Sequence, residues 1–159
     1  MSCGKENHTG NCVCDILKEI ADAQQDVVEN CCDTSCEQSI SELLGETEVS
    51  NGLDTVPVIL YCNDGCKPFK GYGAHPDHID HVQASFYFRV KKIIGNCCDD
   101  YCDGCCAVVE LLRDPYCDAY NPHDPMEQHT HNLCATGICM TVDVNCFCHV
   151  TCLPAISAF

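Results

Sequence analysis

A chain of 159 residues is long enough to bury a core within one domain of common size, without a metal or a covalent staple. Eight Lys and Arg against 24 Asp and Glu leave a formal net charge of −16, which repels nucleic acid and anionic lipid and argues against either as a partner. The 19 cysteines exceed the roughly 8–10% at which a short chain reads as a disulfide scaffold, so they need an explanation beyond rescue of a small fold.

Met1 to Cys14 carries one lysine, no apolar stretch and no cleavage site, so no signal peptide is expected. No run reaches the roughly 18 apolar residues of a membrane span, and no membrane insertion is expected. These features predict synthesis in a cytoplasm, where thiols stay reduced and oxidation comes later. An odd cysteine count leaves at least one thiol free, bound to a metal or bonded to another chain. Adjacent pairs at Cys31 and Cys32, Cys97 and Cys98, and Cys105 and Cys106 cannot bridge directly without strain, so neighbours seek different partners.

Residues 1–11 read as a flexible cysteine-containing arm. Residues 12–159 read as a single domain, helical over 12–45 and mainly β over 55–153. Val13, Ile16, Leu17, Ile20, Val27 and Val28 recur at helical spacing over 12–30, with Asp15, Glu19, Asp22, Asp26 and Glu29 elsewhere on the wheel. A shorter helix follows over Cys36–Leu44. Thr34 with Glu37, or Ser35 with Gln38, has capping-box spacing, Gly45 suits the stop, and Ile40, Leu43 and Leu44 would face the core.

After a polar connector the period changes to that of strands. Val56–Cys62 is the first, with Pro57 suiting an edge or a strand start. A three-residue hairpin loop at Asn63, Asp64 and Gly65 would set Cys62 opposite Cys66, a candidate internal disulfide. Phe69–Tyr72 extends that hairpin, and HPDHIDH at His75–His81 is a polar loop. Phe86–Ile94 is a strand with Phe86, Phe88 and Val90 on one face. Residues 95–105 form a thiol-rich projecting turn, Cys106–Leu112 an apolar strand and 114–132 an irregular loop. From Met140 to Cys152 one parity is apolar throughout, which predicts a last strand with Cys146, Cys148 and Cys152 on the buried face as small hydrophobes. The fold class expected is α+β, an N-terminal helix pair packed on a mainly antiparallel β-sheet or sandwich.

Zinc is the chemistry that thiols and imidazoles serve best. Only one C-x-x-C occurs, Cys102 to Cys105, where structural zinc modules show two. His75, His78 and His81 stand at three-residue steps and are weak metal candidates, since Pro76 and the flanking strands argue against a regular helix there. Cys102 and Cys105 flank a turn instead of opening a helix, which disfavours a redox enzyme. No phosphate loop or nucleophile signature is present, so no catalytic residues, no enzyme activity and no cofactor are expected.

CVCDILKEIADAQ at Cys12–Gln24, DTVPVILY at Asp54–Tyr61, SFYFRV at Ser85–Val90, CAVVELL at Cys106–Leu112 and above all VDVNCFCHVTCLPAIS at Val142–Ser157 give the chain a wider likeness. Through them it resembles the cysteine-rich outer-layer proteins of Bacillus spores, the CotY/CotZ/ExsY family of the crust and exosporium. Residues 97–105 and 114–132 depart from that pattern. The resemblance implies synthesis in the mother-cell cytoplasm and assembly with its own copies and other coat proteins at the spore surface. It further implies a two-dimensional, hexagonal lattice locked by disulfides between chains, built from rings that tile by symmetry. Cysteines outside regular structure are the expected crosslinkers, namely Cys3, Cys12 and Cys14 in the arm and Cys97, Cys98 and Cys102 in the loop. The competing readings are a thiol and histidine metal-binding module and a coat adaptor that does not polymerise.

Overall fold

The structure is a computed structural model that describes residues 12–27, 32–45, 52–95, 106–116 and 121–159. It divides into two compact units at Asp33 and Thr34, so the two helices fall in different units. In the first, α1 spans Cys12–Val27, as the spacing of its apolar residues requires. Val13, Ile16, Leu17 and Ile20 on that helix are exposed.

The second unit has the α+β architecture. Its helix α2 spans Cys36–Leu43. Of the two possible caps the structure uses Ser35, whose Oγ accepts the Gln38 N–H at 3.0 Å, and Gly45 ends the helix at φ 74°. The core-facing residue is not Ile40 or Leu44, both at least half exposed, but Ser39. The Ser39 hydroxyl donates to Leu153 O at 2.6 Å, and Glu42 Oε2 accepts the Ala155 N–H. A short polar side chain thus lets the helix approach the backbone beneath it.

The strands are β1 (Val58–Cys62), β2 (Gly71–Gly73), β3 (Gln83–Ser85), β4 (Phe88–Ile94), β5 (Cys106–Arg113), β6 (Cys134–Asp143) and β7 (Phe147–Cys152). Five form an antiparallel sheet in the order β6-β5-β4-β1-β7, and β2 pairs with β3 in a separate ribbon. Phe69–Tyr72 therefore does not simply prolong the β1 hairpin. Phe69 N–H still donates to Leu60 O, but the chain then leaves for the ribbon.

The expected single strand over Met140–Cys152 is two. Asp143 Oδ1 accepts the Asn145 N–H and caps a 3-10 turn at Val144–Cys146, which interrupts the alternation. Strands β6 and β7 lie at opposite edges of the sheet. Four residue steps from Asp143 to Phe147 reach at most about 14 Å, whereas the edges of a flat five-stranded sheet lie about 19 Å apart, so the sheet curls at this end.

Each face of the sheet carries a buried cluster. On one, Val58, Phe88, Ala107, Val109, Leu111 and Ile138 form a core beneath the ribbon. Gly71 permits that close approach, since a Cβ there would stand 2.7 Å from Met140 Cε and 2.8 Å from Phe88 Cε1. On the other, Ile59, Phe86, Tyr87, Leu112, Leu133 and Ala158 pack together. Phe86 and Phe88 thus belong to different clusters, because Phe86 and Tyr87 lie between β3 and β4 where alternation does not apply. The larger aliphatic and aromatic side chains of these clusters contribute about 1.5–3 kcal/mol each on full burial.

A candidate thiol cluster at one end of the sheet

Strand β7 pairs with β1 in a regular register from Val58 opposite Cys152 to Tyr61 opposite His149. Cys62 then faces Phe147, so Cys148 is an extra residue in β7 and forms a β-bulge. A bulge re-aims its side chain, which is why strand parity fails here. Cys148 Sγ lies 3.4 Å from Cys62 O, 3.5 Å from Tyr61 O and 3.2 Å from His149 Nδ1. The His149 ring stacks on Tyr61 with centroids 3.8 Å apart. Partial desolvation, with the neighbouring Cys66 thiol, pushes the Cys148 thiol above its ordinary value.

The turn after β1 supplies the facing sulfur. Cys62 N–H donates to Lys67 O, so Lys67 and not Cys66 stands opposite Cys62 across the hairpin. The expected Cys62–Cys66 bridge is thereby corrected, because the loop holds four residues where three were expected. Cys66 ends that loop at φ 51°, after Gly65 at φ 75°, and its Sγ lies 3.7 Å from Cys148 Sγ. Asn63 N–H donates to Cys146 O at 2.8 Å, which ties this turn to the 3-10 turn before β7. Cys146 and Cys148, expected on a buried face, are both exposed. Beside them a pocket of about 300 Å³ is lined by apolar groups that include Leu60, Val90, Ile93 and Phe147.

At the opposite end of β7 the third of these cysteines is half-buried and bonded. Cys152 forms a disulfide with Cys36 of α2, with Cα atoms 4.9 Å apart and a separation of 116 positions in sequence. Nearby, Asp54 fastens the C-terminal segment. Its Oδ1 accepts the Ala158 N–H at 2.9 Å and the Thr55 hydroxyl, while Arg89 lies over the Phe159 ring. Burial alone would raise the Asp54 carboxyl, but these hydrogen bonds and the Arg89 charge hold it below 3.8.

Of the expected crosslinkers, Cys3, Cys97, Cys98 and Cys102 lie outside the described residues. Cys12 and Cys14 are not outside regular structure as expected, since α1 begins at Cys12, and Cys14 is exposed on it. Cys32, one of the adjacent cysteines, is exposed too, as is Cys139, which no sequence signal singles out. His75, His78 and His81 line one pocket of about 310 Å³ with Asp114 and Cys134. Pro76 opens a 3-10 turn there, whose three-residue period brings i and i+3 to one side. Among the described residues no three His, Cys, Asp or Glu side chains are grouped to hold a metal ion, and no described helix is long and apolar enough to cross a membrane.

The family described as Spore coat protein Z matches residues 1–155. Spore coat protein Z of Bacillus subtilis (strain 168) is 29% identical over 156 residues, covering 91% of this chain and 90% of that protein. No solved structure matches. With its α+β fold and its thiols distributed along nearly the whole matched length, the chain belongs to the spore coat protein Z family.

Proposed function

We propose that this chain is a structural protein of the spore coat, located at the spore surface, that assembles with its own copies into a two-dimensional, hexagonal lattice locked by disulfides between chains. Family membership over residues 1–155 supports the coat role. The observation that carries the crosslinking is the exposure of Cys32 in the first unit and of Cys139 and Cys146 in the second, which its own Cys36–Cys152 bridge already closes. Exposed thiols exchange, and buried ones do not. The net charge of −16 opposes close packing of copies, so assembly needs salt or divalent cations to screen it. Cys3, Cys12, Cys14, Cys97, Cys98 and Cys102 remain crosslinkers in this proposal, joined by Cys32, Cys139 and Cys146.

The test is electron microscopy of the chain expressed alone, with gels run after boiling with and without reductant. Ordered sheets that boiling dissolves only in the presence of reductant are expected. A soluble monomer with stoichiometric zinc and few reactive thiols would overturn the proposal in favour of a metal module. A discrete complex with one coat partner and no sheets would instead make the chain an adaptor.

A further inference from the structure

Cys66 and Cys148 are 82 residues apart in sequence, yet their sulfurs lie 3.7 Å apart. Two irregularities of the fold produce this contact. The bulge turns Cys148 out of the β7 alternation, and the loop closes on Cys66 in a left-handed conformation that glycine adopts at least cost. For a residue with a Cβ that conformation is disfavoured, so the sulfur is held there against a backbone preference. His149 Nδ1, oriented by the stack on Tyr61, completes the arrangement 3.2 Å from Cys148 Sγ. Both thiols are exposed to a small reagent.

We infer that Cys66 and Cys148 are a redox-active pair that closes into a second internal disulfide by exchange with a low-molecular-weight disulfide, with His149 accepting the Cys148 proton. The Cys148 thiolate attacks one sulfur of the small disulfide, forming a mixed disulfide and releasing one small thiolate, which takes up the proton. Cys66, losing its own proton, then attacks Cys148 Sγ, and the second small thiol leaves. Two protein thiols are oxidised, and one small disulfide is reduced to two thiols. The sulfurs need to close from 3.7 Å to about 2.05 Å, a movement of exposed side chains. Because the Cys148 thiol holds its proton more tightly than usual, a proton acceptor within reach is what makes the first step fast near neutral pH. Closure ties the 63–66 turn to β7 and withdraws two surface thiols from bonding to other chains.

The test uses the full chain, reduced and then diluted so that chains rarely meet. Glutathione disulfide is added, remaining thiols are blocked with a maleimide, and bridged peptides are sequenced by fragmentation. A Cys66–Cys148 bridge is expected, and Cys66→Ser should leave Cys148 alkylated or carrying glutathione. His149→Ala should slow bridge formation by about tenfold or more at neutral pH, and the difference should shrink in alkali where hydroxide supplies the thiolate. Bridging of either cysteine to any other residue or to a second chain, or alkylation of both, would overturn the pair. An unchanged rate in His149→Ala would overturn the role of the imidazole. The inference concerns one chain, so its failure leaves the lattice proposal standing, and absence of sheets leaves the pair standing.

Discussion

At one end of β7, Cys152 lies opposite Val58 in an undisturbed ladder, half-buried and bonded to Cys36. At the other end Cys148 is the surplus residue of a bulge, exposed, with its sulfur beside that of Cys66. The same residue type on one short strand thus has two fates, set by what lies beside each end of the strand. At the regular end the sulfur is half-buried and bonded to Cys36 of α2, which ties helix to sheet. Where one residue is inserted, the sulfur reaches solvent and becomes available for exchange.

The largest expected effect tests the bonded end. Cys36→Ser should lower unfolding free energy by about 2–4 kcal/mol, read from denaturant midpoints, because the bridge closes a loop of 116 residues. A loss no greater than that of an exposed serine replacement such as Cys139→Ser would remove the distinction between the two ends. A smaller effect comes from Asp54, which fastens the C-terminal segment at that same end. Its carboxyl is depressed in the folded state, so its contribution is complete above the unfolded value near 3.8 and is lost as pH falls through the lower folded value. Thermal melts of the parent chain should therefore drop as pH goes below about 4, and Asp54→Asn should drop less over that interval. The smallest effect belongs to the thiol end. Cys66→Gly should be neutral or stabilising by up to about 1 kcal/mol, the relief at φ 51° being partly offset by the entropy of glycine in the unfolded chain. A clear loss of stability would mean that Cys66 packs structurally and would blur the contrast.

Local signals are legible in the sequence. The period of α1, a cap at Thr34 or Ser35 and the Gly45 stop of α2, and the positions of β1, β4 and β5 all follow from residues within a few places of one another. Long-range pairing was not legible. Nothing in spacing joins Cys36 to Cys152, since cysteine connectivity does not follow from sequence order. The alternation from Met140 to Cys152 hid a break whose one local mark is Asp143 two residues before Asn145, and that cap sends the chain to the other edge of the sheet. The Cys62–Cys66 expectation failed by a single loop residue, enough to move the sulfur from a hairpin neighbour to a strand across the turn. Three histidines at three-residue steps did share a pocket, through a 3-10 turn that Pro76 starts instead of prevents.

The Cys36–Cys152 bond also makes most of the chain a covalent loop. A protease that nicks any segment between those two residues releases nothing, because both fragments stay joined through sulfur and through the remaining sheet. Digestion would therefore need two cuts or a reducing agent to free a piece.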